Sequence, residues 1–368
     1  MGEDRKRRKR AFHAARRRLR RRAWIWRKSR RASRHLQSVE PLFRNLYHAE
    51  SIVFAANLIR LSLAVHPRII HAHDVYTLPA GVLLKQRFGA KLVYDAHEFE
   101  PERATKMPPE GNQMVDLLER DCLDNIDALI TVSDSIGELY AARFPKRAPV
   151  IVMNAPEGAE TPDSPGEEEK QGAQSLRSKI KLNATTPLVV FTGGIQKEHR
   201  GLDKVLEALA RLPRYHLVTM GPRHEKNDDW FLSHARMLGL EDRVHLAPPV
   251  DARDVPRMIS SCNVAICPFQ DVSLNHRFAL PNKLFEAAFA GVPICVSDLP
   301  EMRRFVDRLG IGRSMDQTDP DSIAAALRDT VEHGERYRLT AGARSLLEQE
   351  FSWAAQKKKL VALYDQLI

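Results

Sequence analysis

The sequence predicts an α/β protein built from two doubly wound, Rossmann-like parallel sheets in tandem. Three observations lead there. From Arg68 onward short apolar runs alternate with stretches of helical period, the pattern of strands covered on both faces by crossover helices. The rhythm breaks once, in "PEGAETPDSPGEEEKQGAQS" (Pro156–Ser175), which is rich in Pro, Gly and acids and reads as a linker. Finally, 368 residues are more than one core usually organises.

Taken in order, the first half offers a helix over 44–65 and a short strand in "RIIHAHD" (Arg68–Asp74). A helix in "TLPAGVLLKQRFG" follows, ended by Gly89. Next come a strand in "AKLVYDAHE" (Ala90–Glu98), a helix near 111–124, the strand "DALITVS" (Asp127–Ser133), a helix near 134–143 and the strand "PVIVMN" (Pro149–Asn154). The second half opens on the strand "PLVVFTGG" (Pro187–Gly194) and a helix from Leu202. "YHLVTMG", "RVHLAPP", "CNVAICPF" and "PICVSD" are further strands, with a helix in "LPNKLFEAAFAG" before the last of them. The expected organisation is a basic arm (1–40), an N-terminal domain (41–170) ending in the acidic linker, a C-terminal domain (176–350) and a final helix (351–368).

Charge separates the arm from the body. Residues 1–40 hold 17 of the 57 Lys and Arg against three acids, Glu3, Asp4 and Glu40, so the remaining chain is slightly acidic. No apolar segment of signal-peptide kind follows the arm directly. The run "SIVFAANLIRLSLAV" (Ser51–Val65) carries Asn57 and Arg60 and is too short and polar to span a bilayer. Four scattered cysteines, Cys122, Cys262, Cys267 and Cys295, form no CxxC pair. They suit a reducing compartment and give no metal or disulfide signal.

Chemistry concentrates in three stretches. In "LPNKLFEAAFAG", Asn282 is expected as the N-cap of a two-turn helix closed by Gly291. The free amides and partial positive charge of that helix start suit a phosphate, and Lys283 adds a full charge. Glu286, one turn on, can accept two hydrogen bonds from a vicinal diol such as a ribose. The same residues also fit a solvated lysine and a capping acid. In "VVFTGGIQKEHRGLDKVLEAL" (Val189–Leu209), Gly193 and Gly194 let backbone approach an anion closely. Arg200, at a helix start, can grip a diphosphate with two prongs. An ordinary strand-to-helix turn is the plainer alternative.

The third stretch, "YDAHEFEPE" (Tyr94–Glu102), crowds Asp95, His97, Glu98, Glu100 and Glu102 at the end of a strand. His97 there could meet an incoming hydroxyl or a sugar ring; a surface loop with a capping histidine competes with that reading. His71 and His73, at the end of the preceding strand, read as structural. Asp228-Asp229 reads as a surface turn and not as a metal-binding pair.

Together these segments resemble family 4 of the retaining glycosyltransferases, two-domain enzymes of the GT-B fold. "IIHAHD", "LVYDAHE", "VIVMNAPE", "VFTGGIQKEHRGLDKVLEAL", "LPNKLFEAAFAGVPICVSDLPE" and the terminal "FSWAAQKKKLVALYDQL" match in family order across residues 68–368. The resemblance implies a nucleotide-sugar donor in the C-terminal half, with Glu286 on the ribose and Arg200 and Lys283 facing the diphosphate. Gly193 and Gly194 would shape the turn beneath the phosphates, and Asn282 belongs to the same "PNK" form of the motif. His97 matches the histidine of the N-terminal half that lies close to the transferred sugar, and the terminal helix matches one that braces that half. Phe278 stands where many members carry an acid, and Gly194 where many carry arginine. No strand with a glycine-rich loop precedes Arg68, so either the start of the chain is misplaced or the N-terminal sheet lacks the family's first strand.

The expected reaction is transfer of a sugar from a nucleoside-diphosphate sugar to an acceptor hydroxyl of a glycan or glycolipid, with retention and without a metal. A sugar-nucleotide 2-epimerase of the same architecture, or a nucleotide-sugar-binding protein without turnover, are the alternatives. Residues 5–36 mix arginine clusters with Trp24 and Trp26, which suits an anionic membrane surface; an artefact of translation from an upstream start site is the competing reading, and no specific nucleic acid is expected. The implied location is cytoplasmic, peripheral on the inner face of the membrane.

Overall fold

The computed structural model describes Asn57 and residues 66–102, 109–146, 148–156 and 175–368. The chain divides into two compact units, Met1–Leu61 and Ser62–Ile368, and both sheets belong to the second. The basic arm over 5–36, most of the expected 44–65 helix, the linker from 157 to 174 and the question of an additional first strand lie outside the described residues.

The first sheet has four parallel strands in the order β1-β2-β3-β4. They are β1 (Ile69–His73), β2 (Lys91–Ala96), β3 (Ala128–Thr131) and β4 (Val150–Ile151), linked by α1 (Leu78–Phe88), α2 (Pro109–Leu123) and α3 (Asp134–Arg143). Helix α1 starts at a Pro in its first turn and stops at Gly89, whose left-handed backbone (φ 67°) returns its N–H to the Lys85 carbonyl. Helix α3 starts where the Ser133 hydroxyl accepts from the Ile136 N–H. Leu92, Val93, Tyr94 and Ala96 of β2 are all buried, as a strand covered on both faces requires.

The second sheet is six-stranded and parallel, in the order β10-β9-β8-β5-β6-β7. Its strands are β5 (Leu188–Thr192), β6 (His216–Met220), β7 (Val244–Ala247), β8 (Val264–Cys267), β9 (Ile294–Ser297) and β10 (Gly312–Met315). Around it lie α4 (Leu176–Lys179), α5 (Leu202–Ala210), α6 (Glu225–Met237), α7 (Val255–Ile259), α8 (Leu274–Arg277), α9 (Asn282–Phe289), α10 (Pro300–Leu309), α11 (Pro320–Glu332), α12 (Ala341–Phe351) and α13 (Trp353–Leu367). Strand β5 is first in this half yet sits in the middle, with β6 on one side and β8 on the other. That reversal makes a crevice beyond the carboxyl ends of β5 and β8, the place where open α/β sheets hold ligands. Side chains alternate across β5: Val190 joins Leu284, Phe285 and Phe305 on one face, while Val189 and Phe191 join Val205, Phe231 and Leu327 on the other.

Loops of the second sheet close onto strand ends of the first. Asn275 of α8 pairs twice with the Phe99 backbone, accepting from its N–H at 2.6 Å and donating to its carbonyl at 3.0 Å. The Ser133 hydroxyl donates to the Phe278 carbonyl at 3.1 Å, and buried Glu301 accepts from the Ser135 N–H at the start of α3 at 2.9 Å. Helix α13 then crosses to the first sheet. Its Leu363 packs with Val93, Ile130 and Val152, its Gln356 accepts from the Met153 N–H at 3.1 Å, and the Trp353 N–H donates to the Pro156 carbonyl at 2.9 Å.

Three local expectations change. Strand β10 was not anticipated: "GRSM" looks polar because only Met315 is buried on this edge strand. Asp228-Asp229 is no surface turn but part of α6, where acids near a helix N-terminus complement its dipole, and Asp228 pairs with Arg223 at 3.1 Å. The N-cap of α9 is Pro281 and Asn282 is the first helical residue, with no side chain capping the end. Proline fixes the extended approach (φ −76°, ψ 149°) and takes the Leu284 N–H on its carbonyl at 3.0 Å, while no side chain covers the amides of Asn282 and Lys283.

Candidate active site

Four of the expected C-terminal residues converge at the switch point. Strand β5 ends in Thr192, and the chain turns at Gly193, whose φ of 120° disfavours side chains. Its N–H donates to the Met220 carbonyl at 2.8 Å, fixing the turn against the end of β6. On the other side of the crevice β8 runs into Phe269, held by the Ser297 hydroxyl donating to its carbonyl at 2.8 Å.

Phe269 is the floor shared by two cations. The Arg200 guanidinium carbon lies 4.5 Å from its ring centroid and the Lys283 Nζ lies 5.0 Å from it. Lys283 also sits 3.9 Å from the centroid of Phe191, within the range where an aromatic face attracts a cation. Lys283 is only 9% exposed. Burial, reinforced by the positive charge of Arg200, pushes its ammonium down to about 8, and burial also lowers the Arg200 guanidinium. Among the described residues neither cation forms an ion pair; Arg200 donates only to the Gln196 side chain, at 3.2 Å. Two cations drawn over one ring without an ion-paired acid among the described residues, beside a helix N-terminus that no side chain caps, describe a place for an anion.

Glu286 is fixed from the strand side, its Oε2 accepting from the Thr192 hydroxyl at 2.6 Å. Gly201 (φ 62°) lets α5 start hard against β8, since a Cβ there would lie 2.3 Å from the Pro268 carbonyl oxygen. Gly194 lies in the same turn without that need: its φ is not positive, and a Cβ would meet only the Pro222 oxygen at 3.6 Å. Asn282 contributes its place in the first turn of α9 and no cap.

His97 follows β2 and belongs to a second cluster. Strands β1 and β2 pair in parallel with His73 opposite Asp95, so His71, His73, Asp95 and His97 project on one face. Asp95 Oδ2 lies 3.0 Å from His71 Nε2, 3.3 Å from His73 Nδ1 and 3.4 Å from His97 Nε2. Burial works to raise the Asp95 carboxyl, but hydrogen bonds from His71 and His97 outweigh it and hold it well below the usual range. The bond to Asp95 raises the His97 imidazole, so the pair forms a polarised donor at the strand end. Phe99, two residues on, is the backbone that Asn275 grips. The loop of His97 is thus tied to the segment that leads into Lys283.

Sequence reasoning missed Thr192, Phe191 and Phe269, which look like ordinary strand core, and it set His71 and His73 aside. Phe278 does not stand over this crevice as an exposed contact. It packs against the first sheet's core cluster, with Leu78, Phe99 and Tyr140 among its members.

Two protein-family profiles match the chain: "Glycosyl transferase 4-like domain" over residues 3–155 and "Glycosyl transferases group 1" over residues 173–345. The D-inositol 3-phosphate glycosyltransferase of Xylanimonas cellulosilytica is 27% identical over 315 residues, 81% of this chain and 72% of that one. The α-maltose-1-phosphate synthase of Mycolicibacterium smegmatis is 24% identical, over 86% of this chain and 84% of its own. Among solved structures, the sucrose-phosphate synthase of Thermosynechococcus elongatus superposes with a TM-score of 0.70 at 18% identity, covering 85% of this chain and 77% of its own. Anabaena HepE in complex with UDP gives 0.67 at 15% identity, covering 85% and 82%. The chain belongs to the family 4 glycosyltransferases of the GT-B fold, enzymes that transfer a glycosyl group from a nucleotide sugar.

Proposed function

We propose that the enzyme transfers a hexosyl group with retention from a nucleoside-diphosphate sugar to a hydroxyl of a glycan or glycolipid, in the synthesis of cell-surface polysaccharide or glycolipid. The observation behind this reading is the pair of cations, Arg200 and Lys283, over the Phe269 ring at the open N-terminus of α9.

Breaking the anomeric C–O bond leaves a diphosphate whose negative charge grows toward the transition state. Arg200, Lys283 and the free amides of α9 meet that charge with groups already in position, which is where electrostatic catalysis gains most. The diphosphate then needs no metal of its own. Gly193 keeps the turn beneath the phosphates free of side chain. Glu286, with Oε2 held by Thr192, offers Oε1 to the ribose diol. His97 donates to a hydroxyl of the transferred sugar, steadied by Asp95. A phosphate oxygen of the donor takes the proton of the acceptor hydroxyl, which therefore attacks on the face the leaving group vacates, and configuration is kept.

The basic residues 5–36 would hold the enzyme on an anionic membrane at the cytoplasmic face, where a lipid-linked acceptor is presented. Among the described residues no helix is long and apolar enough to cross a membrane. Deleting the arm should abolish co-sedimentation with anionic liposomes; undiminished binding would end that part of the reading.

Calorimetry with UDP, the nucleotide bound in HepE, tests the site. Lys283→Ala and Glu286→Ala should each weaken binding at least tenfold. Unchanged affinity in both removes the assignment, and an epimerised donor in a turnover assay would favour an epimerase instead.

A further inference from the structure

We propose that His71, His73 and Asp95 form a binding site for one divalent transition-metal ion of the zinc class. The argument begins in the sheet register. His71 and His73 are alternate residues of β1, and Asp95 is the partner of His73 on β2. Three ligand-type side chains therefore leave the same face within two residues along each of two adjacent strands.

Their donor atoms have the spacing of a first coordination shell. His71 Nε2 stands 3.0 Å and His73 Nδ1 stands 3.3 Å from Asp95 Oδ2, and all three lie within 4.8 Å of one another. Metal bonds of about 2.1 Å place neighbouring ligand atoms about 3.0–3.4 Å apart, so a small inward adjustment suffices. Two imidazoles and one carboxylate with open positions suit zinc and its neighbours rather than magnesium or calcium, which prefer oxygen.

A second observation points the same way. The far nitrogen of His71, Nδ1, is hydrogen-bonded to the Tyr364 hydroxyl on α13. With an ion on Nε2, Nδ1 carries the ring proton and donates there, which aims the ring, the outer-shell arrangement that ligating histidines generally have. Asp95 is nearly buried while the His73 side chain is 57% exposed, so the site has a firm base and an open mouth through which an ion and its waters enter. His97 Nε2 lies 3.2 Å from His73 Nδ1 and Asp74 lies beyond it, 3.8 Å from His97 Nδ1; both rim the mouth.

The site would oppose catalysis. Asp95 Oδ2 is the atom that His97 also contacts, so an ion bound there takes the carboxylate away from His97. This consequence rests on His97 acting at the transferred sugar; the binding of the ion does not.

The test is metal content after equilibration of tag-free protein with ZnCl2 and dialysis into metal-free buffer. About one zinc per chain is expected for the wild type and at least tenfold less for His73→Ala, whose exposed position spares the fold. Tyr364→Phe should weaken the affinity about tenfold, while His245→Ala, at a histidine pair elsewhere in the fold, should leave it unchanged. Equal zinc in wild type and His73→Ala overturns the site. Zinc should also slow turnover of the nucleotide sugar, with chelator restoring it; one-to-one binding without inhibition overturns the opposing role.

Discussion

Arg200 and Lys283 stand over one ring, 4.5 and 5.0 Å from the centroid of Phe269. Like charges are rarely drawn together in a half-buried crevice unless something negative is to lie between them. The arrangement stores unfavourable charge in the free enzyme and releases it when an anion arrives.

Lys283 makes that storage measurable. Its ammonium is held near 8, below an unfolded value near 10.5, chiefly by burial. The cost of burying the charged form is fully present below pH 8 and fades as pH rises from about 8 to about 10.5. At about 1.4 kcal/mol per unit it amounts to roughly 3–4 kcal/mol. Lys283→Met should therefore raise the melting temperature of the free protein at pH 7 while losing nucleotide affinity. The stability gap between the two proteins should close between pH 8 and 10.5. A variant less stable than the wild type at pH 7 would contradict the buried-charge account.

The same shift governs ligand binding. A diphosphate favours the ammonium, so UDP binding above pH 8 should take up protons, and affinity should fall up to tenfold per unit as pH rises from about 8. Titrations at pH 8.5 in buffers of different ionisation enthalpy measure the uptake. Pure release of protons would rule out Lys283 as the anion contact.

Thr192 positions Glu286 through its hydroxyl. Thr192→Val keeps the shape and removes the bond, worth about 1.5–3 kcal/mol when the acceptor is charged. KM for the nucleotide sugar should rise about 10–100-fold with kcat much less affected; equal loss in kcat would instead place Glu286 in the chemical step.

Adjacent glycines should behave differently. Gly193→Ala forces a side chain to φ 120° and brings a Cβ to 3.5 Å from Lys283 Nζ, at a cost of about 1–3 kcal/mol. Gly194→Ala meets neither obstacle and should stay within about 0.5 kcal/mol. Denaturant unfolding of the pair decides; equal losses would refute the assigned turn.

Phe278→Asp introduces the acid that the family resemblance leads one to expect at this position, yet here the side chain packs with the first sheet's core. Burying a carboxylate there should cost about 2–4 kcal/mol without improving donor affinity. A tighter donor complex would show that the side chain reaches the crevice after all.

Much of this was legible in the residues. The strands of both halves other than β10 follow from their apolar runs, and the ends of α1 and α9 from Gly89 and Gly291, both left-handed in the structure. Lys283, Arg200 and Glu286 stood out as charges at strand-to-helix junctions, although a solvated lysine, a capping acid and an ordinary turn fitted the same pattern until the family motifs were joined. Phe269 and Thr192 did not, because an aromatic or threonine in a strand looks the same whether it floors a site or fills a core. The His71–His73–Asp95 cluster was hidden for another reason. It exists only because His73 pairs with Asp95, and the register between two parallel strands is set by packing that no local pattern displays. Asn282 misled because asparagine is a good cap in general, whereas Pro281 already sets the extended entry to the helix.

The path of α13 has a consequence for biosynthesis. Leu360, Leu363, Tyr364 and Leu367 cover Val93, Ile130 and Val152 of the front sheet, and they are among the last nine residues of the sequence. A chain emerging from the ribosome thus holds one greasy flank of its earliest-made sheet bare until α13 has been made. The half that is synthesised first is the half that is finished last, and during that interval it is the part of the protein most in need of a chaperone.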